Sequence, residues 1–272
     1  MASLRPPRHV VAVVALLLAA AGCDGATDKA ADSGAAPATE SSGTGGASGT
    51  GGGGTSGTGA LSAAYDAFGA NVTTYLDGDE VVIETTGLPD HTSMYWSPDH
   101  ALHIDEPGVA AAPGYIDDFV GSYTLRVPVA PSLAASSSAT GLGAIGIAVS
   151  GSVIYNDEEG PGIPLDGAVG SLDANGAHTG PQSYHYHLEP VAWSEDDDNL
   201  IGVISDGFLL YGRRCTSTGG YPEDLDASGG HTSTTLYDDA ETYHYHIQNS
   251  LYLGAYYILF PGDYQGTPST IR

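Results

Sequence analysis

Positive charge is what this chain has least of. Seven Lys and Arg stand against 33 Asp and Glu, a formal net charge of −26 over 272 residues. From Leu61 onward the strong cations are Arg126, Arg213, Arg214 and Arg272. Phosphates need cationic partners, so nucleic acid is excluded as a partner. The acidity suits a soluble surface and also attracts cations. Cysteine is scarce too: Cys23 and Cys215 are the whole supply. Two cannot make a disulfide framework or an all-Cys zinc site. Cys215 follows two arginines, which lower a thiol pKa, although a buried inert Cys is the commoner role. No segment shows a long helical period. Gly-x-Ser-x-Gly, His-Glu-x-x-His and a phosphate loop are all missing, which removes the best-known hydrolase and nucleotide signatures.

The start of the chain reads as an export signal. Arg5 and Arg8 precede Val10 to Ala21, an apolar run of twelve residues. That is too short for a membrane span and right for the apolar centre of a signal peptide. Ala20-Ala21-Gly22 then leads into Cys23, the pattern of a bacterial lipoprotein. The expectation is a signal peptide over 1–22, a lipid on Cys23, and a cell-envelope protein anchored to its membrane by that lipid. Ordinary secretion with cleavage nearby is the competing reading. Asp24 to Ala60 is rich in Gly, Ser, Thr and Ala and cannot bury enough apolar surface to offset its ordering entropy. Residues 23–60 therefore read as a tether with a reach of roughly 30–40 Å, and residues 61–272 as one domain.

Strand signals dominate that domain. Asn71–Tyr75 and Glu80–Thr86 flank Asp77-Gly78, a hairpin turn. Tyr123–Val129 alternates. Gly143–Tyr155 folds back around Ser150-Gly151-Ser152, and Leu200–Ile204 around Ser205-Asp206-Gly207 onto Phe208–Tyr211. Tyr252–Phe260 reads as a last apolar strand, and Leu61–Ala70 as a short helical turn. The 39 Gly and 16 Pro suit many turns. The fold class expected is all-β: a sandwich or irregular barrel with long loops and an internal repeat.

The repeat is the most specific feature. Leu172-Asp173-Ala174-Asn175-Gly176-Ala177-His178-Thr179 and Leu225-Asp226-Ala227-Ser228-Gly229-Gly230-His231-Thr232 share one pattern. Each leads to the same tetrapeptide, Tyr184-His185-Tyr186-His187 and Tyr243-His244-Tyr245-His246. In a strand the two His share one face and the two Tyr the other. Paired imidazoles can converge on an ion, and imidazole suits zinc, copper, nickel or iron. The candidate ligands are His178, His185, His187, His231, His244 and His246, with Asp173, Asp226 and Asp206 as carboxylates. Zinc or copper would take three or four. Either each copy builds its own three-His site or the two His-x-His strands converge on one; the single shared site is slightly favoured. His91, and His100-x-x-His103, form a separate upstream group whose plainer role is structural. Asp157-Glu158-Glu159 and Glu195–Asp198 are candidate calcium loops but lack EF-hand spacing, and solvated loops describe them better.

On these stretches, with Gly87-Leu88-Pro89-Asp90-His91, Gly146–Gly151 and Ile201–Gly212, the chain resembles the YHYH-domain proteins over roughly Val81 to Phe260. The resemblance implies an exported bacterial domain and no settled activity. Family members often carry Cys where this chain has Ala174 and Ala227, so thiol chemistry there does not transfer. The expected function is binding of a transition metal or small ligand through the repeated His motifs. A metal-dependent hydrolase is the alternative, and a surface adhesion or glycan- and protein-binding module a third.

Overall fold

The computed structural model describes residues 60–272. The signal peptide over 1–22, the lipidation site Cys23 and the tether up to residue 59 lie outside the described residues. Among the described residues the architecture is all-β, with no α-helix and only short 3₁₀ turns such as Ala63–Ala67.

Three strands form a small antiparallel sheet. β1 (Val72–Asp77) and β2 (Glu80–Thr85) close a tight hairpin with Asp77 opposite Glu80, and Gly78 supplies the positive φ that the turn requires. β3 (Tyr123–Pro128) pairs along β2. The larger sheet has eight strands: β4 (Gly146–Ala148), β5 (Val153–Ile154), β8 (Ala177–Thr179), β9 (Tyr184–Tyr186), β10 (Leu200–Ile204), β11 (Leu209–Tyr211), β12 (Gly230–Ser233) and β13 (Thr242–His246). A ribbon of β6 (Glu158–Gly160) and β7 (Ile163–Pro164) stands apart.

The order across the larger sheet is β12-β13-β11-β10-β4-β5-β9-β8, and it curls into a half-barrel. Read from its centre outward, either half is the same. A hairpin comes first (β10–β11, β4–β5), then a parallel neighbour carrying the tetrapeptide (β13, β9), then an antiparallel edge strand carrying the upstream His (β12, β8). At the centre β10 and β4 run antiparallel with Val203 opposite Ile147. These strands approach closely because both carry Gly: a Cβ on Gly146 would stand 2.7 Å from the Val203 carbonyl oxygen, and one on Gly202 would meet the Ile147 oxygen.

The two faces of the sheet are buried differently. Val81, Ile83, Leu125 and Val127 of the small sheet pack on Ile147 and Val203, so the two sheets form a sandwich over the sheet centre. The opposite face carries Ile145, Ile154, Ile201, Ile204, Leu210 and the rings of Tyr184, Tyr186 and Tyr245, closed by Leu259 and Phe260. Tyr252–Phe260 is not a strand. It makes only isolated bridges, and Leu253 and Gly254 both take positive φ, so the apolar residues cap the core as a loop.

Candidate metal centres

The tetrapeptide alternates as a strand must. On β9 and β13 the tyrosines enter the core and the histidines turn to the other face. Following the register across the sheet places His185 beside Val153, Val153 beside Ile147 and Ile147 beside Val203, so the imidazoles share the face on which the small sheet packs. At the far side, Tyr211 beside His246 continues the same face.

Each tyrosine hydroxyl ends on a fixed polar partner. Tyr184 donates to Asp173 (2.6 Å) and Tyr243 to Asp226 (2.7 Å), each the Asp of the upstream Leu-Asp-Ala turn. Tyr245 donates to Asp206 in the β10–β11 turn (2.6 Å), and Tyr186 meets Ser150 in the β4–β5 turn (2.7 Å). Asp173 and Asp206 also accept backbone N–H groups, from Asn175 and Ala177 and from Gly266, Gln265 and Phe208. Burial raises both carboxyl pKa values despite those hydrogen bonds. The structure does not bring Asp173, Asp206 and Asp226 to the histidines: their carboxyl groups take the tyrosine hydroxyls on the opposite face.

The histidines gather into two groups. His178, His185 and His187 bring ligand atoms within 4.8 Å of one another, and so do His231, His244, His246 and Cys215. All seven side chains are buried. The tetrapeptide strands β9 and β13 are five strand steps apart, about 24 Å along the sheet at the usual strand spacing. The two His-x-His pairs therefore do not converge, because four strands stand between them.

The tautomers follow from the second hydrogen bond of each ring. His185 Nδ1 faces the Ser183 carbonyl (3.2 Å), His187 the Asn156 carbonyl (2.7 Å), His244 the Thr242 carbonyl (2.9 Å) and His246 the Gly212 carbonyl (2.8 Å). A carbonyl only accepts, so each Nδ1 carries the proton. His231 Nδ1 faces the Asp224 carboxylate at 2.8 Å. His178 Nδ1 faces Ser171 Oγ at 3.0 Å, and that hydroxyl spends its own proton on the Ala168 carbonyl. With Nδ1 engaged in this way, Nε2 is the position each ring offers to its group; at His231 that nitrogen also meets Ser233 Oγ at 3.2 Å.

Two pairs of these nitrogens face each other. His178 Nε2 and His185 Nε2 lie 3.1 Å apart, and His244 Nε2 and His246 Nε2 3.0 Å apart. With both protons on Nδ1 these are not hydrogen bonds but facing acceptors. His187 Nε2 is buried without a hydrogen-bond partner among the described residues. A tetrahedral ion with metal–nitrogen bonds of about 2.0–2.1 Å would set its nitrogens roughly 3.3–3.4 Å apart. Cys215 Sγ stands 3.5 Å from His231 Nε2, close to the spacing of about 3.6 Å expected for a thiolate and an imidazole on one zinc. The donor sets fit a transition metal.

Electrostatics keep the rings ready to ligate. Burial depresses the pKa of His178, His187, His244 and His246 to about 4. His185 is lowered well below its ordinary value by burial, and by His187 and His178 beside it. Neutral imidazole is the ligating form.

Two residues join these groups that the motif does not mark. Glu159 Oε1 lies 3.4 Å from His178 Nε2 and 3.5 Å from His187 Nε2, so one member of the expected solvated loop faces the first group. Cys215, whose plainer role is inert burial, faces the second. The upstream histidines do not gather: His100 stacks on Trp96, His103 Nδ1 donates to the Trp96 carbonyl, and His91 Nε2 meets the Tyr186 hydroxyl at 2.6 Å. The loop around Glu195–Asp198 is held internally, with Asp197 taking Ser194 and Asn199, and Asp196 pairing with Arg214.

Residues 124–223 match the family model described as YHYH protein. The match includes the first tetrapeptide, Glu159 and Cys215, and stops before the second tetrapeptide. No curated protein and no solved structure matches the chain. Among the described residues no helix is long and apolar enough to cross a membrane.

Proposed function

From a chain with a YHYH-family region over residues 124–223, we propose a transition-metal-binding domain with two centres, one in each half of the larger sheet. The first is held by His178, His185 and His187, the second by His231, His244, His246 and Cys215. The observation that carries this reading is the orientation of all six rings. Each is fixed through its Nδ1, with His178 Nε2 facing His185 Nε2, His244 Nε2 facing His246 Nε2, His231 Nε2 facing Cys215 Sγ and His187 Nε2 buried beside its group without a hydrogen bond among the described residues. Lone pairs held 3.0–3.1 Å apart repel one another. A cation between them turns that repulsion into ligation. Zinc suits both donor sets, and copper suits the imidazoles and, as Cu(I), the thiolate.

The test is metal content against variants. The protein loaded with zinc and desalted should carry two ions per chain. His187→Ala and His246→Ala should each carry one, and the double variant none. A folded protein that retains no zinc, or one whose content ignores both variants, would sink the reading.

The first 60 residues support export with a lipid on Cys23, which would place the domain at the cell envelope on a long tether. Cys23→Ala should then shift the protein out of the detergent phase or leave an uncleaved precursor. Unchanged partitioning and mature mass would rule the anchor out.

A further inference from the structure

The two centres differ at one equivalent position. Tyr155 follows β5 as Tyr211 ends β11, and the residues after them hold the last His in the same way: His187 Nδ1 to the Asn156 carbonyl, His246 Nδ1 to the Gly212 carbonyl. Four residues beyond each Tyr stand Glu159 and Cys215. Each faces the centre of its own half. The outcome is opposite. Cys215 Sγ completes a set of four protein donors around the second centre. A tetrahedral ion there is saturated, which is the pattern of a structural site. The first centre has three imidazoles, and Glu159 stands off at 3.4–3.5 Å from two of them with part of its side chain exposed.

The surroundings of the first centre match that difference. His178, His185, His187 and Glu159 line one wall of a cavity of about 1190 Å³, a size that takes a small organic molecule. The rest of the lining is mostly apolar, including Phe119, Leu142 and Ile163, and Leu142 and Ile163 are exposed at 52% and 56%. Among the described residues no Lys or Arg lines the cavity, while Glu158 and Glu159 do. Apart from a metal on the three imidazoles, an anion finds no cationic partner in that lining and must approach past two carboxyl groups. An apolar body with one lone-pair donor finds cover for its surface and a Lewis acid at the end.

We propose that the first centre is an exchange site. A metal on His178, His185 and His187 takes an uncharged, largely apolar molecule through one lone-pair atom of an azole, carbonyl or imine type. Glu159 is the carboxylate that gives way. The second centre, closed by Cys215, holds its metal for structure alone. This deepens the two-centre reading and rests on it.

The experiment uses the mature chain loaded with two Co(II), whose visible d–d bands report geometry and whose near-ultraviolet thiolate band reports Cys215. The probes are 4-phenylimidazole, neutral and apolar, and benzoate, similar in size but anionic. The expected result is saturation at one 4-phenylimidazole per chain, with the d–d bands changing and the thiolate band unmoved. Benzoate should bind at least tenfold more weakly. E159Q should keep both metals and bind 4-phenylimidazole at least as tightly, since a neutral amide is the weaker competitor. E159C should add a second thiolate band and lose 4-phenylimidazole, because it rebuilds the first centre as the second. With two cobalt bound, unchanged d–d bands, a change in the thiolate band, or benzoate binding as well as the azole overturns the exchange site and leaves the two-centre reading standing. A folded chain that takes up no cobalt overturns both. E159Q decides the matter if E159C does not fold.

Discussion

At the scale of single residues, the repeated tetrapeptide divides labour between its two side-chain types. The histidines offer lone pairs; the tyrosines hold the strand in place. Tyr245 shows the second role most clearly. Its ring lies in the core against Phe208 and Phe260, and its hydroxyl donates to Asp206 while accepting the Gln265 N–H. Removing the hydroxyl leaves a buried carboxylate short of a donor, at a cost of about 1–3 kcal/mol. Tyr245→Phe should therefore lower the unfolding free energy by that amount and still bind two metals per chain, because the hydroxyl sits on the face away from the imidazoles. Loss of metal with unchanged stability in this variant would assign the tyrosine to the wrong role. Asp206 corresponds to Ser150 in the other half, where the hydroxyl-to-hydroxyl contact with Tyr186 does the same work without a charge.

At the scale of elements, the turns are legible in the sequence. The β1–β2 hairpin turns where Asp77-Gly78 indicates, and the hairpins around Ser150-Gly151 and Asp206-Gly207 form because Gly151 and Gly207 supply positive φ. Period-two alternation in Tyr-His-Tyr-His separates ligands from anchors. Two element-level expectations give way. Tyr252–Phe260 has strand-like composition, yet it meets the chain after β9 through one short bridge, with Glu189 N–H donating to the Tyr257 carbonyl and Leu259 N–H to the His187 carbonyl, and it caps the core as a loop; apolar residues bury equally well in either conformation. Proximity along the chain groups the carboxylates of Leu-Asp-Ala with the histidines. The Asp173 turn instead closes on its own backbone through one carboxyl oxygen, and the Tyr184 and Ser93 hydroxyls donate to the other.

For the whole molecule, buried neutral imidazoles make stability depend on pH. Four of them have pKa values near 4 when folded, against about 6.5 when unfolded. Between those values the unfolded chain takes up protons that the folded chain refuses. Stability is thus full above about pH 6.5 and falls as pH drops toward 4, by about 1.4 kcal/mol per pH unit for each such ring. Asp173 and Asp206, raised by burial, act in the opposite sense and soften the fall. Denaturant midpoints measured with chelator at pH 7.5, 6 and 5 should decline in that order, and zinc should raise the midpoint most at pH 7.5. A midpoint that stays level from pH 7.5 to 5 under chelator would mean the rings are not buried as neutral species.

What the sequence alone determined is local: an all-β chain, its hairpin turns, and a pattern that repeats Leu-Asp-Ala-x-Gly-x-His-Thr and Tyr-His-Tyr-His. It also determined that each copy turns its imidazoles to one face, since alternation along a strand is a property of neighbouring residues. Tertiary structure decided how those faces meet. Each half closes on itself, β9 beside β5 and β13 beside β11, and the halves join through β4 and β10 where Gly146 and Gly202 let the backbones approach. That order sets the two tetrapeptides apart and makes two centres of what could have been one. It also brings Glu159 and Cys215, distant along the chain from the histidines they face, to equivalent places. The strand order depends on which apolar faces cover one another across long separations, and no local period in the chain encodes that.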